Sequence, residues 1–115
     1  MWNPFKKRSH AEVHSVVVKN PETGLNDVNL IVTTNEMGEA ADAIEEAFEA
    51  VVSRHRSNPD FGGQVVFAVR GPAPGSQLPP ELVDVQSRLN GKTAGLQTTT
   101  GRPFQARVEY KQSTL

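Results

Sequence analysis

Residues 34–59 constrain the fold more than any other stretch, because they have the pattern of one long amphipathic helix. Apolar side chains recur at intervals of three or four, as on the buried stripe of a helix. Thr33 with Glu36 fits a capping box at its start, and Pro59 stops it. We therefore expect this helix to pack its stripe on a second layer. The stripe comprises Met37, Ala40, Ala41, Ile44, Ala47, Phe48, Val51, Val52 and His55.

Four segments have the composition of β-strands, being rich in β-branched and aromatic residues. The first two are separated by a loop that contains Pro, Gly, Asn and Asp, which is typical of a hairpin. The last strand alternates apolar and polar residues without a break, as a strand with one covered face does. The predicted strands are residues 10–19, 27–34, 62–71 and 103–111.

A second, shorter helix is predicted over residues 80–91, with Pro80 in its first turn and Gly91 at its end. The element order is then β-β-α-β-α-β. Strand–helix–strand connections favour parallel neighbours joined in the right-handed sense. The sequence therefore predicts an α+β domain, in which a mixed four-stranded sheet carries the long helix on one face.

A length of 115 residues fits one domain. We divide the chain into an N-terminal basic and aromatic tail, residues 1–10, and a single α+β domain, residues 11–112. The domain includes a proline-rich connector over residues 71–80 and a long loop over residues 92–103. Residues 113–115 form the C-terminal end.

The first and third predicted strands carry apolar residues on both faces, which a sheet covered on one side does not need. The first has Val13 and Val17 on one face and Val16 and Val18 on the other. Val66 and Ala68 would lie on the face away from the long helix, beside Ile31 of the second strand. Such a patch indicates a partner or a second layer. Two explanations stay open: the second helix covers this face, or the face is a subunit interface.

Composition excludes several classes of protein. The chain has no cysteine, so it has neither disulfides nor a cysteine-ligated metal. A net charge of -1 gives no overall attraction to nucleic acid or anionic lipid. No apolar run approaches the ~20 residues of a membrane span, and no signal peptide is visible. We expect a protein that is cytoplasmic or otherwise intracellular, or incorporated in a particle.

The chain begins MWNPFKKRSH, which places two aromatic residues beside three consecutive cations. Aromatic residues contribute much of the binding energy in protein interfaces. The stretch is too short for a stable amphipathic membrane helix, and Pro4 interrupts it. We interpret the segment as a tail that docks onto another protein through Trp2, Phe5, Lys6, Lys7 and Arg8.

Nucleic-acid binding is an alternative hypothesis that would use the basic N-terminus and residues 92–107. Candidate phosphate contacts are Arg88, Lys92, Arg102 and Arg107. Single-strand platforms stack bases on aromatic side chains. The whole chain has one Trp and one Tyr, so support for this hypothesis is weak.

No catalytic motif is complete. Asp60-Phe61-Gly62 and Gly91-Lys92-Thr93 match fragments of nucleotide-binding motifs, but each lacks the rest of its pattern. His10 and His14 lie too far apart on a strand to share a metal ion. We expect no catalytic residue, metal or cofactor. A small ligand-binding protein or enzyme with residues 92–103 as its lid remains a further alternative.

The leading hypothesis is therefore a non-catalytic interaction module. We expect it to form a homo-oligomer or to dock on a larger scaffold, in the manner of small structural or accessory proteins of viruses and mobile elements. The predicted interface combines the five tail residues with Val66 and Ala68.

Overall fold

A computed structural model describes residues 11–113 as four strands and two helices in the predicted order. Strand and helix boundaries differ from the predicted ones by a few residues, as boundaries commonly do. The predicted tail, residues 1–10, and the last two residues lie outside the described range. The elements are β1 Glu12–Lys19, β2 Asn26–Thr33, α1 Met37–His55, β3 Phe61–Gly71, α2 Pro80–Thr93 and β4 Gln105–Gln112.

The four strands form one mixed sheet in the spatial order β1-β2-β3-β4. Strands β1 and β2 are an antiparallel hairpin, whereas β2, β3 and β4 are mutually parallel. The α+β class, the mixed sheet and the packed long helix are thus confirmed. Strand β1 lies at one edge of the sheet and β4 at the other.

Both helices lie on the same face of the sheet. Helix α1 packs on β2 and β3, α2 packs on β4, and the two helices contact each other. The buried residues of α2, which are Leu82, Val85 and Leu89, belong to the same core cluster as the stripe of α1. This arrangement follows from two crossovers of the same hand that run in the same direction along the sheet. The other face of the sheet, which we call the open face, carries neither helix.

Two predicted helix boundaries are wrong. The first residue of the proposed capping box, Thr33, is still paired within β2, so it cannot cap α1. The N-cap position is Glu36, whose backbone N–H donates to Thr34 Oγ1 at 3.0 Å. Gly91 does not end α2, which continues to Thr93. Gly91 has no positive φ, so it lacks the left-handed conformation with which glycine usually ends a helix.

Candidate interaction surface

Strand β1 carries most of the exposed apolar surface of the domain. Among residues 11–113, five large apolar side chains are exposed, and only Val83 lies outside β1. The other four have exposed fractions between 38% and 53%. Single exposed valines are ordinary, whereas four on one strand are an unusual concentration of exposed apolar side chains. The cluster consists of Val13, Val16, Val17 and Val18.

The cluster covers both faces of β1. Val13 lies opposite Val32 and Val17 lies opposite Val28, which places both on the helix-covered face. Val16 lies opposite Asn29 on the open face. The partners Val28 and Val32 are buried beneath α1, but the helix does not extend over β1. Within residues 11–113, the edge strand therefore carries exposed valines on both faces, and neither helix packs over it.

A groove of about 180 Å³ separates β1 from α1. Val13 and Ser15 form one wall, and Ala47 and Ala50 of the helix contribute to the other. The volume is below the roughly 300–1,000 Å³ of pockets that hold small-molecule ligands. The groove is therefore smaller than a typical small-molecule site.

An apolar band, interrupted by two polar side chains, crosses the open face from β1 to β3. Val16, Asn29 and Val66 form one row of neighbours, and the adjacent row contains His14, Ile31 and Ala68. Ile31, Val66 and Ala68 are half-buried. The predicted interface residues Val66 and Ala68 therefore continue the surface that Val16 begins. The explanation that the second helix covers this face is wrong, because α2 packs on the opposite one.

The candidate phosphate contacts are not brought together. Arg88 donates from Nε and Nη2 to Glu45 Oε1, both at 2.9 Å, and also pairs with Asp84. The hydrogen bond to Glu45 raises the pKa of Arg88 above its ordinary value. Lys92 Nζ lies 3.0 Å from Glu49 Oε2. These two cations link α2 to α1.

The remaining two candidates lie elsewhere. Arg107 is on the open face, where its Nη2 is 2.8 Å from Glu109 Oε2. Arg102 belongs to the loop that precedes β4. Three of the four cations are therefore already paired with carboxylates within the domain, and the four occupy three separate regions of its surface.

The predicted lid is folded onto the end of α1. Its first two residues belong to α2, and the rest is closed by backbone hydrogen bonds, including Thr98 N–H to Arg102 O at 2.8 Å. A cavity of about 500 Å³ lies between this loop and α1. Ser53, Arg56 and Thr99 are among its lining groups. Hydroxyls and one guanidinium offer hydrogen bonds, and the lining contains neither a carboxylate nor an imidazole.

Among the described residues, the pKa of one histidine departs from its ordinary value. Burial against the core, with a smaller contribution from Arg54, lowers the pKa of His55 below its ordinary value. The His55 ring lies 5.6 Å from the ring of Phe61. Within residues 11–113 no three or more histidine or acidic side chains are grouped so that they could hold a metal ion.

No protein-family model, curated protein or solved structure matches this chain. Within the described part of the chain, no helix is long and apolar enough to cross a membrane. Function must therefore be argued from the surfaces of the domain.

The predicted tail residues lie outside the described range, and the predicted interface left out the valines of β1. The two-sided valine pattern of this strand is visible in the sequence, at Val13 and Val17 on one face and Val16 and Val18 on the other. Strand order could not be predicted, however. Only the edge position leaves these side chains exposed.

Proposed function

We propose that this protein is a non-catalytic module that associates with further copies of itself through the uncovered valine surface. We define this surface as the four valines of β1 together with the apolar band of the open face. The observation that carries the proposal is the concentration of exposed apolar side chains on one edge strand.

The distribution of polar residues supports this proposal. On the open face, β4 presents Gln105, Arg107, Glu109 and Lys111, as a strand facing water does. Strand β1 differs, since Glu12 and Lys19 are its only formally charged residues at neutral pH and lie at its two ends. Solvation alone does not account for the difference between the two edges. Burial against a second copy does, because it removes the valines from water.

Self-association is tested by measuring absolute mass with light scattering on a sizing column, over a range of protein concentrations. We expect a species of twice the chain mass of 12.5 kDa. The variant Val16→Asp should reduce its population, since a carboxylate would be placed within the apolar surface. Val83→Asp is the matched control, because Val83 is equally apolar and exposed but lies on α2.

A monomer at every concentration would refute the proposal, and so would an equal effect of the two aspartate variants. Recording absorbance at 260 and 280 nm at low and high salt tests the nucleic-acid alternative in the same experiment. Bound nucleic acid would add absorbance at 260 nm that disappears at high salt.

The tail also belongs to the proposed interface, through its aromatic anchors. Replacing Trp2 and Phe5 by Ala in the full chain should weaken assembly and leave the circular dichroism spectrum unchanged. A fully retained assembly mass would remove the tail from the proposal without affecting the role assigned to β1.

A further inference from the structure

We infer that β1 pairs antiparallel with β1 of a second copy, so that two four-stranded sheets join into one continuous sheet. This inference rests on the proposed self-association and specifies its geometry. It follows from the hydrogen-bonding direction, the scarcity of edge protection and the charge pattern of β1.

Among residues 11–113, no strand pairs with the outer edge of β1, so its outward backbone groups have no partner strand there. Asn20 N–H donates to Leu25 O at 2.7 Å, and Gly24 N–H donates to Asn20 O at 2.8 Å. The backbone groups of Asn20 therefore point toward β2. Because this direction alternates along a strand, the even-numbered residues of β1 bond to β2 and the odd-numbered ones point outward. The outward residues are Val13, Ser15, Val17 and Lys19.

Among the described residues, this edge has few of the usual protections against pairing. Native edge strands are blocked by proline, by bulges, by charged side chains, by a short length or by a covering loop or helix. Strand β1 is eight residues long and contains no proline. Its register with β2 runs without a shift from Glu12 opposite Thr33 to Lys19 opposite Asn26. A regular strand of this length, with formal charges only at its two ends, is a template for another strand.

The charges at the ends of β1 and the symmetry of the contact favour a second copy as the partner. Glu12 lies at one end of β1 and Lys19 at the other, so antiparallel pairing keeps like charges apart. Parallel pairing would place Glu12 beside its own equivalent. Pairing of β1 with the β4 edge of another copy would be a head-to-tail contact that does not close, whereas pairing of β1 with β1 closes on a two-fold axis.

The register follows from the same alternation. We place the two-fold axis normal to the sheet, because this keeps each face continuous across the two copies. Such an axis passes midway between a residue of one copy and the same residue of the other, and near the middle of β1 this residue can be Ser15, Val16 or Val17. Each pair of outward residues that face each other exchanges two hydrogen bonds. An axis at Val16 forms four such pairs and about eight hydrogen bonds, whereas an axis at Ser15 or Val17 forms three pairs and about six. The structure therefore places Val16 opposite Val16 of the second copy, in a non-hydrogen-bonded pair.

Single cysteine variants test this register, because the chain has no cysteine of its own. In a non-hydrogen-bonded pair the two Cα atoms lie about 4.5 Å apart, within the range of a disulfide. Val16→Cys should therefore form a covalent dimer under mild oxidation. Val18→Cys is the matched control, since its two copies would lie roughly 13 Å apart along the strands. Ser15→Cys and Val17→Cys report the two alternative registers.

A proline variant tests the backbone pairing itself. The N–H of Ser15 points away from β2, so Ser15→Pro removes a donor from the free edge and spares the hairpin. We expect the dissociation constant of the dimer to rise at least tenfold, while the circular dichroism spectrum stays unchanged. Ser15→Thr keeps the N–H and should dimerise like the natural sequence. If the proline variant does not fold, the cysteine series alone decides.

The outcomes separate this inference from the proposed function. Preferential cross-linking at Val16 supports both. A wild-type dimer with equal cross-linking at Val16 and Val18, and no effect of Ser15→Pro, would overturn edge pairing and leave self-association standing. Strongest cross-linking at Ser15 or Val17 would overturn the register. A monomer at all concentrations would overturn both proposals. If the outward amides of β1 in that monomer were protected from hydrogen exchange, another segment of the same chain would be paired with this edge.

Discussion

Replacing Gly63 by Ala perturbs the contact between β3 and the loop that precedes β4. Gly63 has a φ of +92°, and a Cβ built on it would lie 2.5 Å from the carbonyl oxygen of Pro103. A non-glycine residue in such a conformation costs roughly 1–3 kcal/mol. The close atom belongs to the backbone, so relief requires the loop to shift, and overpacking of this kind costs roughly 1–3 kcal/mol more.

We therefore expect Gly63→Ala to lower the free energy of unfolding by at least about 2 kcal/mol. With an unfolding entropy of about 0.2 kcal/mol per kelvin for a domain near 100 residues, the melting temperature should fall by about 10 °C. Urea denaturation followed by circular dichroism at 222 nm measures the change in free energy. Thermal melting measured at the same wavelength checks it.

Gly91→Ala is the matched control, because it makes the same chemical change inside α2. Gly91 has no positive φ and no atom within 4 Å of a built Cβ. Alanine in a helix is more stable than glycine by roughly 0.5–1 kcal/mol, so this variant should be slightly stabilised. The reasoning is refuted if Gly63→Ala is as stable as the natural sequence, or if the two variants change stability in the same direction.

Two further predictions concern the core and its edge. Tyr110 Oη donates to Ala73 O at 2.7 Å, so Tyr110→Phe should lose about 1 kcal/mol in urea denaturation; unchanged stability would contradict this role. Because burial lowers the pKa of His55, the folded state binds fewer protons than the unfolded state. Stability should therefore fall as the pH drops from about 7 to about 5. His55→Gln should flatten that fall, and an unaltered slope would contradict the assignment.

The helix stripe and the succession of strands and helices along the chain could be predicted because both are local patterns. The stripe from Met37 to Val51 is buried where the periodicity indicates, and the alternation that ends at Tyr110 fits a strand with one covered face. The ends of the helices were harder to predict. Thr33 matches a capping sequence, but its pairing within β2 overrides that local preference.

The exposure of β1 could not be predicted, because it depends on where the strand lies in the sheet. A valine-rich strand such as residues 12–19 has the composition of a central, doubly covered strand. Nothing local distinguishes that position from an edge. The separation of Arg88 from Arg107 likewise depends on tertiary structure, since α2 and the open face lie on opposite sides of the sheet.

The topology itself explains why an uncovered apolar surface is present. Two right-handed crossovers that advance in one direction must place both helices on one face. Two helices cover β2, β3 and β4, but β1 extends beyond them as the far strand of a hairpin. A hairpin built only for solvent would carry polar residues at its outer positions. Val16 and Val18 on its open face, and Val13 and Val17 beside α1, instead match the composition of a strand with neighbours on both sides. Joining two copies through β1 supplies that missing neighbour and converts an apolar edge into the centre of a larger sheet.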